Sequence, residues 1–285
     1  MSQDLDAQAI TAVFLLPGSD GAFEPEQAAY LRTLGARRPS VLLAFAPKAA
    51  GTFLRTAAIY AVDGQLTRVV HAQGGRDGTP YLPVYVLYLA GGFPDSTLVT
   101  HVHMQALPAN RHFLEALGLK PVIMLRDVPD MLTSYLDMLA AEPASPSHWL
   151  NAAIPPDFAR LSDATKADFM IDTILPWYAS YFATWLDYVH RAPDRVCVLR
   201  YSDLQRDPSG VLHRLLAHSG LPRSEDMCEL AIAAAWKDKQ DYRFNRGEEG
   251  RGRARLNARQ LARIEQLLFG YYDLEAWRRE LMPNG

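Results

Sequence analysis

Three short runs rich in valine, leucine and isoleucine, VLLAF (41–45), PVIMLR (121–126) and RVCVLRY (195–201), constrain this fold more than any other feature of the sequence. Each is apolar almost without interruption. A strand with one wetted face alternates polar and apolar residues, whereas an unbroken apolar run needs cover on both faces. STLVTHVH (96–103) is a fourth candidate strand, ending in polar residues. Helical patterns follow most of these runs, over 51–62, 129–141 and 208–218; before the last, Asp207 is placed to cap the helix and Pro208 fits its first turn. Strands alternating with helices predict an α/β fold, a central parallel β-sheet flanked by helices.

The chain has 285 residues, 49% of them hydrophobic, enough to bury one large core or two modest ones. Between the second and third runs, SDATKADFMIDTILPWYASYFATWLDYVHR (162–191) has the spacing of two helices split near Pro176. These are expected to cover the sheet as a helical insertion at about 142–190, inside one domain spanning 1–285. NARQLARIEQLLFG (257–270) predicts a last helix, capped by Asn257 and stopped by Gly270.

A net charge of −3, from 29 basic and 32 acidic residues, gives no global field for a polyanion, so nucleic acid is not an expected partner and any anion site is local. The amino terminus begins acidic rather than basic. The longest near-apolar stretch, YLPVYVLYLAGGF (81–93), is broken by Pro83 and falls short of the ~20 residues that span a bilayer as a helix. A cytoplasmic protein without a transmembrane segment is expected. Cys197 and Cys228 sit in no CxxC pattern and are expected to be reduced packing residues.

The first strand ends in APKAAGT (46–52). Ligands of open parallel sheets bind beyond the carboxyl ends of strands. A helix starting near Gly51 would offer unpaired backbone N–H groups and the positive end of its dipole to a phosphate or sulfate. Ala49, Ala50 and Gly51 leave the approach open, Thr52 adds a hydroxyl, and Lys48 adds a compact charge. A nucleoside-triphosphate loop of the form GxxxxGK[ST] has its lysine after the glycines, but Lys48 precedes Gly51. At the second strand end, LRDVPDMLTSY places Arg126 eight residues before Ser134, a spacing that can return the hydroxyl toward the guanidinium fork. In the fourth run, His101 and His103 face the same side of a strand. A histidine there suits removal of a proton from an acceptor near neutral pH. The remaining histidines show no HExxH or similar spacing, so no metal is expected.

PKAAGT and LRDVPDMLTSY together resemble, in order and spacing, the two nucleotide motifs of the sulfotransferases that use 3′-phosphoadenosine 5′-phosphosulfate (PAPS). The resemblance spans about 40–256 and implies a P-loop-NTPase-like sulfotransferase fold. It implies that Lys48, Ala49, Ala50, Gly51, Thr52 and Phe53 hold the 5′-phosphosulfate, and that Arg126 and Ser134 hold the 3′-phosphate. VTH aligns His101 with the family's catalytic histidine, with His103 left as an acceptor contact or a hydrogen-bonded structural residue. VLRYSDLQRDP (198–208) resembles the segment usually written RYEDL, with Tyr201 beside the nucleotide and Asp203 near the usual acid. RFNRGEEGRGRARL (243–256) resembles the late glycine-rich loop that closes on the 3′-phosphate, through Arg246 and Gly247. Asn245 replaces the usual arginine there and no tryptophan follows Gly250, which leaves the cationic contact open among Arg246, Arg251, Arg253 and Arg255.

The implied reaction moves a sulfuryl group from PAPS to an acceptor hydroxyl on a small molecule, lipid or glycan, releasing adenosine 3′,5′-bisphosphate (PAP). Lys48 and His101 are its catalytic candidates, and no metal takes part. TPYLPVYVLYLAGGF and HWLNAAIPPDF are candidate acceptor linings. The rivals are an ATP-dependent P-loop-like kinase and a catalytically silent nucleotide-binding module.

Overall fold

The unbroken apolar runs pair as parallel strands. The computed structural model describes residues 23–67, 97–141, 148–149, 152–238 and 249–283. Within them β1 (Ser40–Leu43), β2 (Gln65–Thr67), β3 (Leu98–His101), β4 (Pro121–Leu125) and β5 (Cys197–Arg200) form one sheet in the order β2-β3-β1-β4-β5. Every pairing in it is parallel. β3 and β4 are buried along their whole length, and β1 over all but its first residue, as strands covered on both faces must be. β5 stands at the edge and is only partly buried. β2 escapes sequence reading because QLT is three residues with no apolar run.

Helices precede, connect and follow these strands, and the α-helices of five or more residues among the described residues are numbered in chain order. They are α1 (Pro25–Arg37), α2 (Gly51–Val62), α3 (Pro108–Leu117), α4 (Val128–Ala141), α5 (Asp163–Thr173), α6 (Leu175–Arg191), α7 (Tyr201–Arg206), α8 (Pro208–His218), α9 (Glu225–Lys237), α10 (Arg251–Arg255) and α11 (Ala258–Glu265). The predicted caps are in place: Asp207 accepts from Gly210 N at 2.8 Å, and Asn257 accepts from Gln260 N at 3.0 Å. The break between α5 and α6 falls at Ile174, two residues before Pro176, which therefore sits in the first turn of α6, where its missing N–H costs nothing.

Trp177, Tyr178, Tyr181, Phe182 and Trp185 form the buried stripe of α6, so this segment covers the core as expected. Gly270 does not stop the last helix. After Glu265 the chain winds on as a π-turn, Gln266–Tyr271, because the wider turn still buries Leu268. The late glycine-rich segment is likewise not all loop, since Arg251–Arg255 is helical. Among the described residues no helix is long and apolar enough to cross a membrane. TPYLPVYVLYLAGGF lies outside the described residues, and HWLNAAIPPDF is described only in part, as a short antiparallel pair of 148–149 with 152–153 followed by 154–158.

Candidate active site

Between β1 and α2 the chain turns through residues 44–50, and the carbonyl groups of the first five all have partners. The Ala44 carbonyl accepts from Tyr181 Oη at 2.5 Å and that of Phe45 meets His103 Nδ1 at 2.8 Å. The Ala46 carbonyl accepts from Ala49 N at 3.2 Å, that of Pro47 from Tyr178 Oη at 3.0 Å, and that of Lys48 from Arg126 Nη1 at 2.5 Å. Tethering the negative ends of these peptides fixes the loop and removes them from competition with an anion. Lys48 and Ala50 hold left-handed backbone, φ 65° and 61°, a conformation that costs residues bearing Cβ about 1–2 kcal/mol each. Ala50 then sits at the N-cap of α2 without a side-chain cap, and the ladder inside the helix begins with Leu54 N donating to the Ala50 carbonyl at 3.1 Å. The amides of Gly51, Thr52 and Phe53 are thus the ones a helix start leaves for an outside partner. The small residues Ala49 and Ala50 lead into this helix start at Gly51. Ala49 is fully buried, Thr52 is half-buried, and the Phe53 side chain packs on Trp236 with ring centroids 4.7 Å apart.

β3 delivers the histidines to the same place. Its register sets Leu43 of β1 opposite His101, at the level where the β1 loop begins. The His101 ring lies against Gly51: a Cβ there would be 2.1 Å from Nε2. His103 follows just past the strand end, its ring edge-on to His101 with centroids 5.0 Å apart. Both are 8% exposed. His103 is tied through Nδ1 to the Phe45 carbonyl, a backbone bond of the kind expected of a structural histidine.

At the end of β4, Arg126 is 9% exposed and its guanidinium carbon lies 4.0 Å from the centroid of the Tyr201 ring. Burial raises the Tyr201 phenol above its ordinary value, against the opposing pull of the Arg126 charge, so the ring under that cation is neutral. Arg126 Nε is buried without a hydrogen-bond partner. Ser134, 3% exposed, is carried on α4, which starts two residues after Arg126. A cavity of about 460 Å³ opens here, lined among others by Arg126, Asp127, Tyr201, Arg253, Arg200 and Arg279. Asp127 lies between charges: burial pushes its carboxyl up to about 7, with Asp130 adding to the rise and Arg253 and Arg126 opposing it.

The late segment docks on α4. Asp130 accepts from Gly250 N at 2.9 Å and Gly252 N at 2.7 Å, and Asp137 takes Arg251 and Arg255, each at 2.7 Å. Gly252 holds the position where the resemblance leads one to look for a tryptophan, and a Cβ there would lie 2.2 Å from the Pro129 carbonyl carbon. Arg246 and Gly247 lie outside the described residues. Asp203 turns to the surface, paired with Arg206 at 2.5 Å and Arg214 at 3.3 Å, and does not join the cavity. Sequence reasoning missed Tyr178, Tyr181 and Asp130, since nothing in a helical pattern shows which backbone a buried hydroxyl or carboxylate will reach. Among the described residues no group of three or more His, Cys, Asp or Glu is placed to hold a metal ion.

A parallel α/β sheet with anion-ready groups at two adjacent strand ends is the frame of an enzyme that transfers phosphate- or sulfate-like groups. The chain belongs to the sulfotransferase domain family, whose model matches residues 93–258. Among solved structures it is similar to mouse sulfotransferase SULT7A1 complexed with PAP, at TM-score 0.61 and 13% identity over 92% of each chain. It is also similar to a retinol dehydratase in complex with retinol and PAP, at TM-score 0.54 and 14% identity over 96% of this chain and 97% of that one. At such identities these likenesses bear on the fold alone. No curated protein sequence gives a significant match.

Proposed function

We propose that this chain is a PAPS-dependent sulfotransferase, one unit over residues 1–285, acting on an acceptor hydroxyl of a small molecule, lipid or glycan and releasing PAP. The observation that carries this is the 2.5 Å bond from Arg126 Nη1 to the Lys48 carbonyl. It makes the two strand-end sites neighbours, as one nucleotide with two separate anionic groups would need. The residues fit such a ligand: Arg126 Nε is buried with no acceptor of its own, and no side chain caps the start of α2. The PAP complexes of the two similar structures support the choice of nucleotide.

Lys48 and the backbone of Ala49 to Phe53 would hold the 5′-phosphosulfate, with Thr52 adding its hydroxyl. Arg126 and Ser134 would hold the 3′-phosphate, with Tyr201 beneath Arg126 and with Arg246 and Gly247 contributing from the late loop. The bound donor supplies the sulfuryl group. Lys48 stabilises charge on the departing phosphate oxygen, and His101 takes the acceptor's proton as the new S–O bond forms. His103, fixed on Phe45, bounds the acceptor side of His101.

The test is transfer of labelled sulfate from PAPS to a panel of hydroxyl acceptors by the wild type, Lys48→Ala and His101→Ala. Loss of about 10²–10⁴-fold in His101→Ala is expected, the range for a general base. No transfer by the wild type to any acceptor, unchanged transfer in both variants, or tighter binding of ADP than of PAP would overturn the proposal.

A further inference from the structure

Of the hydrogen bonds that hold carbonyls between β1 and α2, two flank Lys48. Tyr178 Oη donates to the Pro47 carbonyl at 3.0 Å, and Arg126 Nη1 donates to the Lys48 carbonyl at 2.5 Å. The first bond fixes the peptide before the Lys48 Cα, and the second fixes the peptide after it. Because each peptide is planar, holding both sets φ and ψ of Lys48, and with them the direction in which its side chain leaves the backbone. The φ so held is 65°. A left-handed residue bearing Cβ persists only where its surroundings over-determine it, and strain of this kind gathers at functional sites.

The two pins differ in kind. Arg126 belongs to the 3′-phosphate site as well, so its bond to the loop answers to the ligand. Tyr178 is 0% exposed and reaches the loop from the buried stripe of α6, out of a ligand's reach. Its ring is keyed there: Trp177 lies edge-on to it with centroids 5.8 Å apart, and Trp177 in turn stacks on Tyr181 at 5.4 Å. Tyr181, three residues on and on the same face of the helix, holds the Ala44 carbonyl where β1 passes into the loop. Helix α6 thus grips both the root of the loop and the peptide next to Lys48.

We propose that Tyr178 is a positioning residue for sulfuryl transfer, its hydroxyl holding Lys48 in the left-handed backbone that aims the ammonium at the departing phosphate oxygen. This rests on the PAPS-dependent reading above. In that step the acceptor oxygen bonds to sulfur as the bond from sulfur to the bridging oxygen breaks. The acceptor's proton goes to His101, and the electron pair stays on the bridging oxygen, where Lys48 meets the charge. The amides at the start of α2 do not depend on the Tyr178 bond, so the donor should still bind without it while transfer slows. A displacement of about 1 Å can cost such a group about 10²-fold.

The experiment measures labelled sulfate transfer from PAPS to an acceptor of the wild type, together with direct binding of PAP, for Tyr178→Phe, Lys48→Ala, their double variant and Tyr188→Phe. Tyr188, 2% exposed, lies on the same helix about 15 Å further along, so its variant removes a comparable hydroxyl away from the loop. Tyr178→Phe is expected to lower kcat about ten- to hundredfold, with donor KM and PAP affinity changed less than about threefold. Its melting temperature should fall by only a few degrees, because the ring that fills the core is kept. In the Lys48→Ala background the same substitution should cost less than about twofold, since it acts through a group no longer present, whereas a general loss of packing would multiply in full. Tyr188→Phe should change kcat less than about twofold. The role of Tyr178 is overturned, and the sulfotransferase reading stands, if Tyr178→Phe leaves kcat unchanged, weakens PAP instead, costs as much without Lys48 as with it, or is matched by Tyr188→Phe. If the wild type transfers sulfate to no acceptor, the sulfotransferase reading itself falls and Tyr178's role falls with it.

Discussion

Gly51 and His101 share one space: an alanine at position 51 would put its methyl carbon 2.1 Å from the Nε2 of the imidazole. The glycine that opens α2 thus serves two ends, leaving backbone amides accessible and letting the ring lie against the helix start. Its φ is not in the left-handed region, so alanine is tolerated by the backbone and even favoured within a helix by up to about 1 kcal/mol. Gly51→Ala is therefore expected to displace the ring rather than unfold the chain. Turnover should fall about tenfold or more while the melting temperature moves by only a few degrees. In a His101→Ala background the same substitution should do nothing further, since two changes acting through one group are not additive. Wild-type turnover in Gly51→Ala would show that the ring's position is immaterial.

Arg126 ties the two strand ends together and rests on Tyr201, so its replacements should separate charge from shape. Arg126→Lys keeps the cation but not the planar fork, which at a bidentate site is not a conservative change. The donor KM should rise about tenfold, with kcat changed less. Arg126→Ala also removes the donor to the Lys48 carbonyl and the cation over the Tyr201 ring, the latter contact being worth about 0.5–2 kcal/mol. Here KM should rise about a hundredfold and kcat should fall with it, because the Lys48 loop loses a tether. Steady-state kinetics with varied PAPS checks both. A rise in KM alone for Arg126→Ala would mean that the tether does not position Lys48.

Much of this arrangement was legible in the sequence because it is carried by local patterns. VLLAF and PVIMLR are strands for the reason their composition gives, the helix at 208–218 begins where Asp207 and Pro208 place it, and the helix at 51–62 has the bounds its pattern predicts. The strand ends gave the site its location. Less legible were elements with no amphipathic signature of their own, such as β2, and the turn beyond Glu265, where burial of Leu268 outweighs a glycine stop. The partners of the β1–α2 loop were not legible at all. Tyr178, Tyr181 and Arg126 lie 131, 137 and 78 residues from the carbonyls they hold, and only the tertiary fold brings them there. The same holds for the late segment, whose arginines look equivalent until Asp137 takes two of them.

Asp127 makes stability depend on pH with a sign opposite to that of an ordinary paired carboxylate. Burial, chiefly, pushes its carboxyl up to about 7 in the folded chain from an ordinary 3.8. Below pH 4 both states hold the proton. From there to about pH 7 the unfolded chain has released it while the native chain retains it, so stability falls as pH rises. The accumulated cost above pH 7 is on the order of 4 kcal/mol. Asp127→Asn removes the titration while keeping a side-chain oxygen to accept from Asp130 N, a bond of 2.8 Å in the native chain. The variant should therefore match the wild type near pH 4 and exceed it in stability by pH 8. Urea unfolding at pH 4, 5, 6, 7 and 8 measures the difference directly. A difference that stays constant across that range would mean that Asp127 is already ionised in the native cavity, held so by Arg253 and Arg126.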